Sequence, residues 1–246
     1  MLLFCKEAYK KTNGTVNVAM GSVLSIWHAH RESGLRDPES ATLPSPELLK
    51  EAAQHTDINT VIIDENAKTV FLSDPDTLLD VGAIAKGYAV EAVAQMLEAK
   101  GISGYVLNVG GNVRTLGIRG DGEPWVAGIE NPYAEEGALD PYYAKLTLKD
   151  LSLVTSGSYQ RYYTVNGVNY NHVIDPQTLM PADRYTSVSV VTKSSALADA
   201  LSTALFCMSY EDGSDLIEAT EGVEAMWVLT SGEIRYSSGF SNYLTK

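Results

Sequence analysis

The chain has 246 residues, 45% of them hydrophobic and 20% charged, the profile of an ordinary globular protein long enough to bury a substantial core without staples. Asp and Glu number 31 against 18 Lys and Arg, a formal net charge of −13. That balance argues against a nucleic-acid binder, which needs basic patches, and it means that a polyanionic ligand would need a cation or local donors.

A helix is predicted over Leu2–Lys11, stopped by Asn13-Gly14. No capping residue stands ahead of it, which points to a processed or truncated start. The two cysteines, Cys5 and Cys207, cannot build a disulfide framework or a zinc site. The stretch before Cys5 is too short for the hydrophobic region of a lipoprotein signal, and no run approaches the ~18 apolar residues of a membrane span. A second helix is expected over Ser22–Arg31, a polar loop over Glu32–Pro46, and a third helix capped by Ser45-Pro46 and running through Ala53. Thr60–Ile63 and Thr69–Leu72 pattern as a hairpin.

The helix after Lys86 carries Val90, Val93, Ala94 and Leu97 at one-face spacing and ends at Gly101. Strands follow over Tyr105–Val109, Val113–Ile118, Trp125–Ile129, Ala144–Leu148 and Ser152–Thr155. Tyr162–Val165 and Val168–His172 flank Asn166-Gly167, a strong hairpin signal. A strand over Thr186–Thr192 precedes helices over Ser195–Met208 and near Ser214–Ala219. A last hairpin joins Ala225–Leu229 to Glu233–Ser237 around Ser231-Gly232. Many strands with a few interspersed helices indicate an α+β fold rather than regular βαβ winding. No composition break marks a linker, so residues 1–246 read as one domain.

Three stretches carry candidate chemistry. In DVGAIAKGYAVEAVAQMLEAKG, from Asp80 to Gly101, small residues and Lys86 stand where a helix begins. Helix starts offer unpaired N–H groups and a partial positive charge, which suit phosphates. Asp80 could accept from a base or sugar, support a metal, or simply cap the helix. Gly110-Gly111-Asn112, after the next strand, is a candidate second close-approach turn, a weak signal by itself.

In TSGSYQRYYTVNGVNYNHVIDPQTLMP, His172 sits at a strand end before Asp175-Pro176. It suits a general base near neutral pH, or a cap of the hairpin. In SSALADALSTALFCM, Asp199 and Thr203 are four apart on a helix and therefore neighbours. Two oxygen donors there suit a hard cation such as Mg²⁺. The alternative is a solvated Asp and a Thr bonded back to its own helix.

Taken together and in this order, the three stretches resemble the FAD:protein FMN transferases, the ApbE-type flavin transferases. DVGAIAKGYAVEAVAQMLEAKG followed by LNVGGNVRTLG is similar to that family's central motif, TSGSYQRYYTVNGVNYNHVIDPQTLMPA to its second and ADALSTALF to its third. The likeness extends from Gly14 to Tyr236. It implies an α+β fold of the T-fold type, with antiparallel sheets and packed helices.

The resemblance also implies site roles. The Ala83 carbonyl and the Asp199 and Thr203 side chains would hold Mg²⁺. Asp80, Lys86 and the backbone near Val173 would contact FAD, as would the stretch Thr15-Val16-Asn17. His172 would be the base toward the acceptor, and Asp199 counts with it as catalytic. The implied reaction moves FMN from FAD to a threonine hydroxyl of an acceptor protein, a redox-complex subunit by class, and releases AMP.

Two departures qualify the likeness. Members usually begin with further strands and helices ahead of the point where this chain starts, so residues 1–246 would be a shortened form. Asn17 stands where the family commonly carries an acid. An alternative is therefore FAD binding, or FAD splitting to FMN and AMP, without protein modification. Members are often exported lipoproteins, whereas no usable signal is legible here.

Overall fold

The computed structural model describes residues 1–245. In chain order, the elements begin with α1 (Leu2–Lys11), α2 (Gly21–Arg36), α3 (Pro46–Ala52), β1 (Val61–Asp64) and β2 (Thr69–Leu72). Then come α4 (Ala85–Ala99), β3 (Tyr105–Val109), β4 (Asn112–Leu116), β5 (Trp125–Glu130), β6 (Tyr142–Leu148) and β7 (Ser152–Gly157). The remainder comprises β8 (Tyr162–Val165), β9 (Val168–Asn171), β10 (Tyr185–Thr192), α5 (Ser195–Cys207), α6 (Tyr210–Glu218), β11 (Glu224–Leu229) and β12 (Ile234–Tyr236). Among the described residues every strand pairing is antiparallel. No helix among the described residues is long and apolar enough to cross a membrane.

The chain divides into two compact units, one of residues 1–83 and 158–183, the other of residues 84–157 and from Arg184 onward. The first unit is built on α1 to α3 and the β1–β2 and β8–β9 hairpins. Its core gathers Met20, Val23, Trp27, Leu49, Tyr163, Val165 and Ile174. The Trp27 indole N–H donates to the Leu179 carbonyl at 2.9 Å, so its polar handle is satisfied inside that core. The β8–β9 turn places Asn166 at φ 49° and Gly167 at φ 82°, the paired left-handed residues of a tight hairpin.

The second unit carries a six-stranded sheet in the order β12-β11-β10-β7-β4-β3, and a separate β5–β6 ribbon. Every residue of β10 is buried, as a central strand packed on both faces requires. α5 lies over β10 and β7, and α4 lies against α5. Polar positions on these covered surfaces pair with each other: Thr155 with Ser189 at 2.8 Å and Ser156 with Ser202 at 2.9 Å. Leu146, Leu148, Leu153, Val191, Met226, Val228 and Phe240 pack together in one core cluster of this unit.

Several expectations are corrected. α2 continues five residues past Arg31 and stops at Asp37, because the residue before Pro38 is driven from helical geometry. Val93 is exposed, since the buried stripe of α4 centres on Gly87, Val90 and Ala94. α6 begins at Tyr210, not near Ser214: Ser209 Oγ accepts the Asp212 N–H and donates to the Asp212 carboxylate, a capping pair that carries the helix through Gly213.

Candidate active site

Asp199 sits in the second turn of α5, and only 4% of it is exposed. Its Oδ2 accepts the Gly87 N–H at 2.7 Å. Gly87 belongs to the first turn of α4, where backbone amides lack intrahelical partners. The first intrahelical bond of α4 runs from the Tyr88 N–H to the Ile84 carbonyl at 2.9 Å, so the Gly87 amide is left for Asp199. Burial raises the Asp199 pKa, and the Gly87 N–H, the Lys86 charge and Asn112 only partly oppose that rise.

Thr203, one turn further along α5, is partly buried and donates its hydroxyl to the Asp199 carbonyl at 3.3 Å. Its oxygen keeps lone pairs for another partner. The donor set suits a hard divalent cation: a carboxylate short of compensating charge, and a hydroxyl beside it, both oxygen. The expected solvated alternative for Asp199 is therefore corrected by its burial, whereas the Thr back-bond is present.

Lys86 lies beside this carboxylate and donates from Nζ to Asn112 Oδ1 at 2.9 Å. Asn112 is completely buried, and its side chain faces the Asp199 carboxylate, whose negative charge it favours. It follows the Gly110-Gly111 turn, in which Gly111 adopts φ 91°, a conformation that favours glycine. The turn itself was legible in the sequence. The role of Asn112 was not, because a buried amide and a solvated one look alike in a sequence.

Asp80 does not cap α4, whose N-cap position is Ile84. It is exposed, and its Oδ1 accepts the Gly82 N–H at 2.7 Å in a local turn. In the first unit, Ala83 closes the segment that begins at Met1, and His172 follows β9. His172 is exposed, and its Nδ1 lies 3.2 Å from the Arg161 carbonyl. A carbonyl only accepts, so Nδ1 carries the proton and Nε2 is the basic nitrogen of the neutral ring. The Val173 N–H donates to Asn171 Oδ1 at 2.9 Å and its carbonyl accepts the Ala182 N–H at 2.9 Å. A ligand at Val173 would have to use the second lone pair of that carbonyl.

Thr15 and Asn17 line a cavity of about 370 Å³ in the first unit, whose wall also includes Tyr9, Thr56, Asp57 and Gln177. That volume lies in the usual range of small-molecule sites. Val16, between them, is buried in the fold. Both ends of the Asn17 amide are engaged, Oδ1 by the Ala19 N–H at 2.9 Å and Nδ2 by the Thr56 carbonyl at 2.8 Å.

One further group escaped the sequence reading. His55, Asp74 and Asp76 bring three ligand-type atoms within 4.8 Å of one another, the one such group among the described residues. His55 Nδ1 meets Asp74 Oδ2 at 2.8 Å. The Asp74 hydrogen bond raises the His55 pKa, and the reciprocal bond holds the Asp74 carboxyl below its usual range. Nineteen positions separate the pair, too far for a local spacing rule to link them.

These observations converge on one class of protein. The model of the ApbE family matches residues 1–227, and the chain belongs to that family. It is 32% identical over 244 residues to the FAD:protein FMN transferase of Treponema pallidum, covering 94% of this chain and 65% of that protein. It is likewise 32% identical over 251 residues to the FAD:protein FMN transferase of Vibrio cholerae, covering 100% of this chain and 72% of that protein.

Among solved structures, the ApbE protein of Thermotoga maritima superposes with a TM-score of 0.86 at 30% identity, covering 100% of this chain and 77% of that one. The flavin transferase ApbE of Vibrio cholerae gives 0.79 at 29% identity, covering 99% and 75%. The family and the α+β flavin-transferase architecture expected from the sequence are thus borne out. The chain spans 65% and 72% of the length of those two curated relatives.

Proposed function

We propose that this protein transfers the FMN part of FAD to a threonine hydroxyl of an acceptor protein and releases AMP. The observation that carries the proposal is Asp199: a buried, undercompensated carboxylate held by the first turn of α4, in a chain whose relatives are named FAD:protein FMN transferases. In this proposal Asp199 and Thr203 would hold Mg²⁺, with the Ala83 carbonyl as the further ligand that the family resemblance implies. When bound, that ion neutralises diphosphate charge and polarises the phosphorus under attack.

The chain's own groups do the rest. Lys86, anchored by Asn112, offers a fixed positive charge to a phosphate oxygen. The cavity beside Thr15 and Asn17 receives a ring system of the dinucleotide, and Asp80 accepts from its sugar or base. His172 takes the threonine proton on Nε2 while the threonine oxygen bonds to the FMN phosphorus. The bond from that phosphorus to the bridging oxygen breaks, and AMP leaves with the electron pair. A positioned base of this kind contributes about 10²–10⁴-fold. The acceptor, by class a redox-complex subunit, must present its threonine in line with the departing oxygen.

The deciding experiment incubates the protein with FAD, Mg²⁺ and an acceptor that a known transferase modifies, then reads flavin fluorescence on the acceptor band and AMP in solution. Label on the acceptor with one AMP per label is expected; neither product would sink the proposal. Asn17 favours a second reading. Its amide is committed to the Ala19 N–H and the Thr56 carbonyl and brings no charge to the site; in this reading water, in place of the acceptor hydroxyl, attacks the phosphorus. That reading predicts free FMN and AMP with an unlabelled acceptor.

A further inference from the structure

α4 and α5 bracket each other. The Gly87 N–H of α4 donates to Asp199 on α5 at 2.7 Å, and the Ser195 N–H of α5 donates to Glu91 Oε2 on α4 at 2.8 Å. Gly87 and Glu91 are four residues apart, as are Ser195 and Asp199. Each helix therefore gives an amide of its first turn to a carboxylate carried one turn into the other. Two anchor points one turn apart fix both the height and the rotation of one helix against its neighbour, where a single bond would leave a pivot.

The approach is close. A Cβ on Gly87 would lie 2.3 Å from the Ser195 carbonyl oxygen and 2.5 Å from Asp199 Cβ. The Ser195 hydroxyl is buried without a hydrogen bond and takes no part in holding the helix start. The side-chain cap of α5 is Ser194, whose oxygen accepts the Leu197 N–H, so Glu91 serves a different amide and adds negative charge at the positive end of the helix.

We propose that Glu91 is a positioning residue: by holding the Ser195 amide it sets the orientation in which Asp199 and Thr203 present their oxygens to a divalent cation. The inference rests on the proposed role of Asp199 as a metal ligand. Glu91 touches no reacting atom. It acts through the start of α5, as groups behind metal ligands commonly do.

The test uses the whole chain and Mn²⁺, titrated by electron paramagnetic resonance, with a urea unfolding curve for each variant. Glu91→Met keeps the length of the side chain and removes the acceptor; Glu91→Gln keeps an acceptor oxygen. Glu91 is partly exposed, so neither change disturbs the core. Glu91→Met is expected to weaken Mn²⁺ about tenfold per folded molecule, Glu91→Gln to stay near wild type, and Asp199→Asn to lose the ion. If Glu91→Met lowers the urea midpoint but binds Mn²⁺ as wild type does, while Asp199→Asn has lost it, the positioning role is overturned and the metal assignment stands. Equal weakening in Met and Gln also overturns it. Wild-type binding by Asp199→Asn would overturn the metal assignment and this inference with it.

Discussion

The Asp199 carboxylate is held at 2.7 Å by the backbone amide of Gly87, 112 residues earlier in the chain. A helix start that would otherwise expose an unpaired N–H is closed by a side chain from a second helix start. The cost is a buried negative charge, and the rise in the Asp199 pKa records it. A cation placed there would relieve that cost.

Removing the carboxylate tests this directly. Asp199→Ala should lower flavin transfer by about three orders of magnitude, the several kcal/mol that metal-assisted charge stabilisation supplies. His172→Ala should cost less, about 10²-fold, and should leave FAD binding intact. Transfer rates beside calorimetric FAD titrations would check both, and equal rates for Asp199→Ala and wild type under limiting Mg²⁺ would refute the metal assignment.

Gly87 should tolerate no side chain. Gly87→Ala forces a methyl into the Ser195 carbonyl and Asp199 Cβ, and overpacking of this kind costs about 1–3 kcal/mol. The urea midpoint should fall accordingly. An unchanged midpoint would mean that α4 and α5 are less closely apposed than described.

The pH dependence has a definite sign. The folded pKa of Asp199 lies above its unfolded value. Its contribution to stability is therefore fully present below the unfolded pKa and is lost as pH rises through the folded one. On the proposed assignment Mg²⁺ would bind only the ionised form, so any thermal shift caused by Mg²⁺ should grow as pH rises through the carboxylate range, from about pH 4 upward. A shift independent of pH would contradict the assignment.

His55 and Asp74 give a second titration. The His55 pKa is raised and that of Asp74 lowered by their mutual hydrogen bond. The His55 contribution is present below its unfolded pKa and is lost as pH rises through its raised value. The Asp74 contribution is present above its unfolded pKa and is lost as pH falls through its lowered value. The pair is therefore fully formed between about pH 4 and about pH 6.5. Asp74→Asn should return the His55 titration, followed by proton NMR, toward about 6.5.

The elements of this fold were legible where local chemistry decides them. α1 and β2 match their expected bounds, and the Asn166-Gly167 hairpin needed only its two turn residues. Boundaries moved where a long-range or reciprocal partner decides them, as with Ser209 and Asp212 at the start of α6. Asp199 and Thr203 stood out as an oxygen pair one turn apart. Glu91 did not, because a carboxylate that reaches another helix has the same sequence signature as one that reaches water. Asn112 was hidden for a similar reason: its importance lies in Lys86, 26 positions away.

The interleaving of the two units also bears on synthesis. Tyr163, Val165 and Ile174, which complete the core of the first unit, lie in the returning segment 158–183. A ribosome delivers them only after β3 to β7 of the second unit. Residues 1–83 must therefore wait for Tyr163, Val165 and Ile174 to complete their core while β3, β4 and β7 of the second unit's sheet are made first. Nascent chains stalled before residue 183 therefore lack part of that core and should be more sensitive to protease than the finished chain.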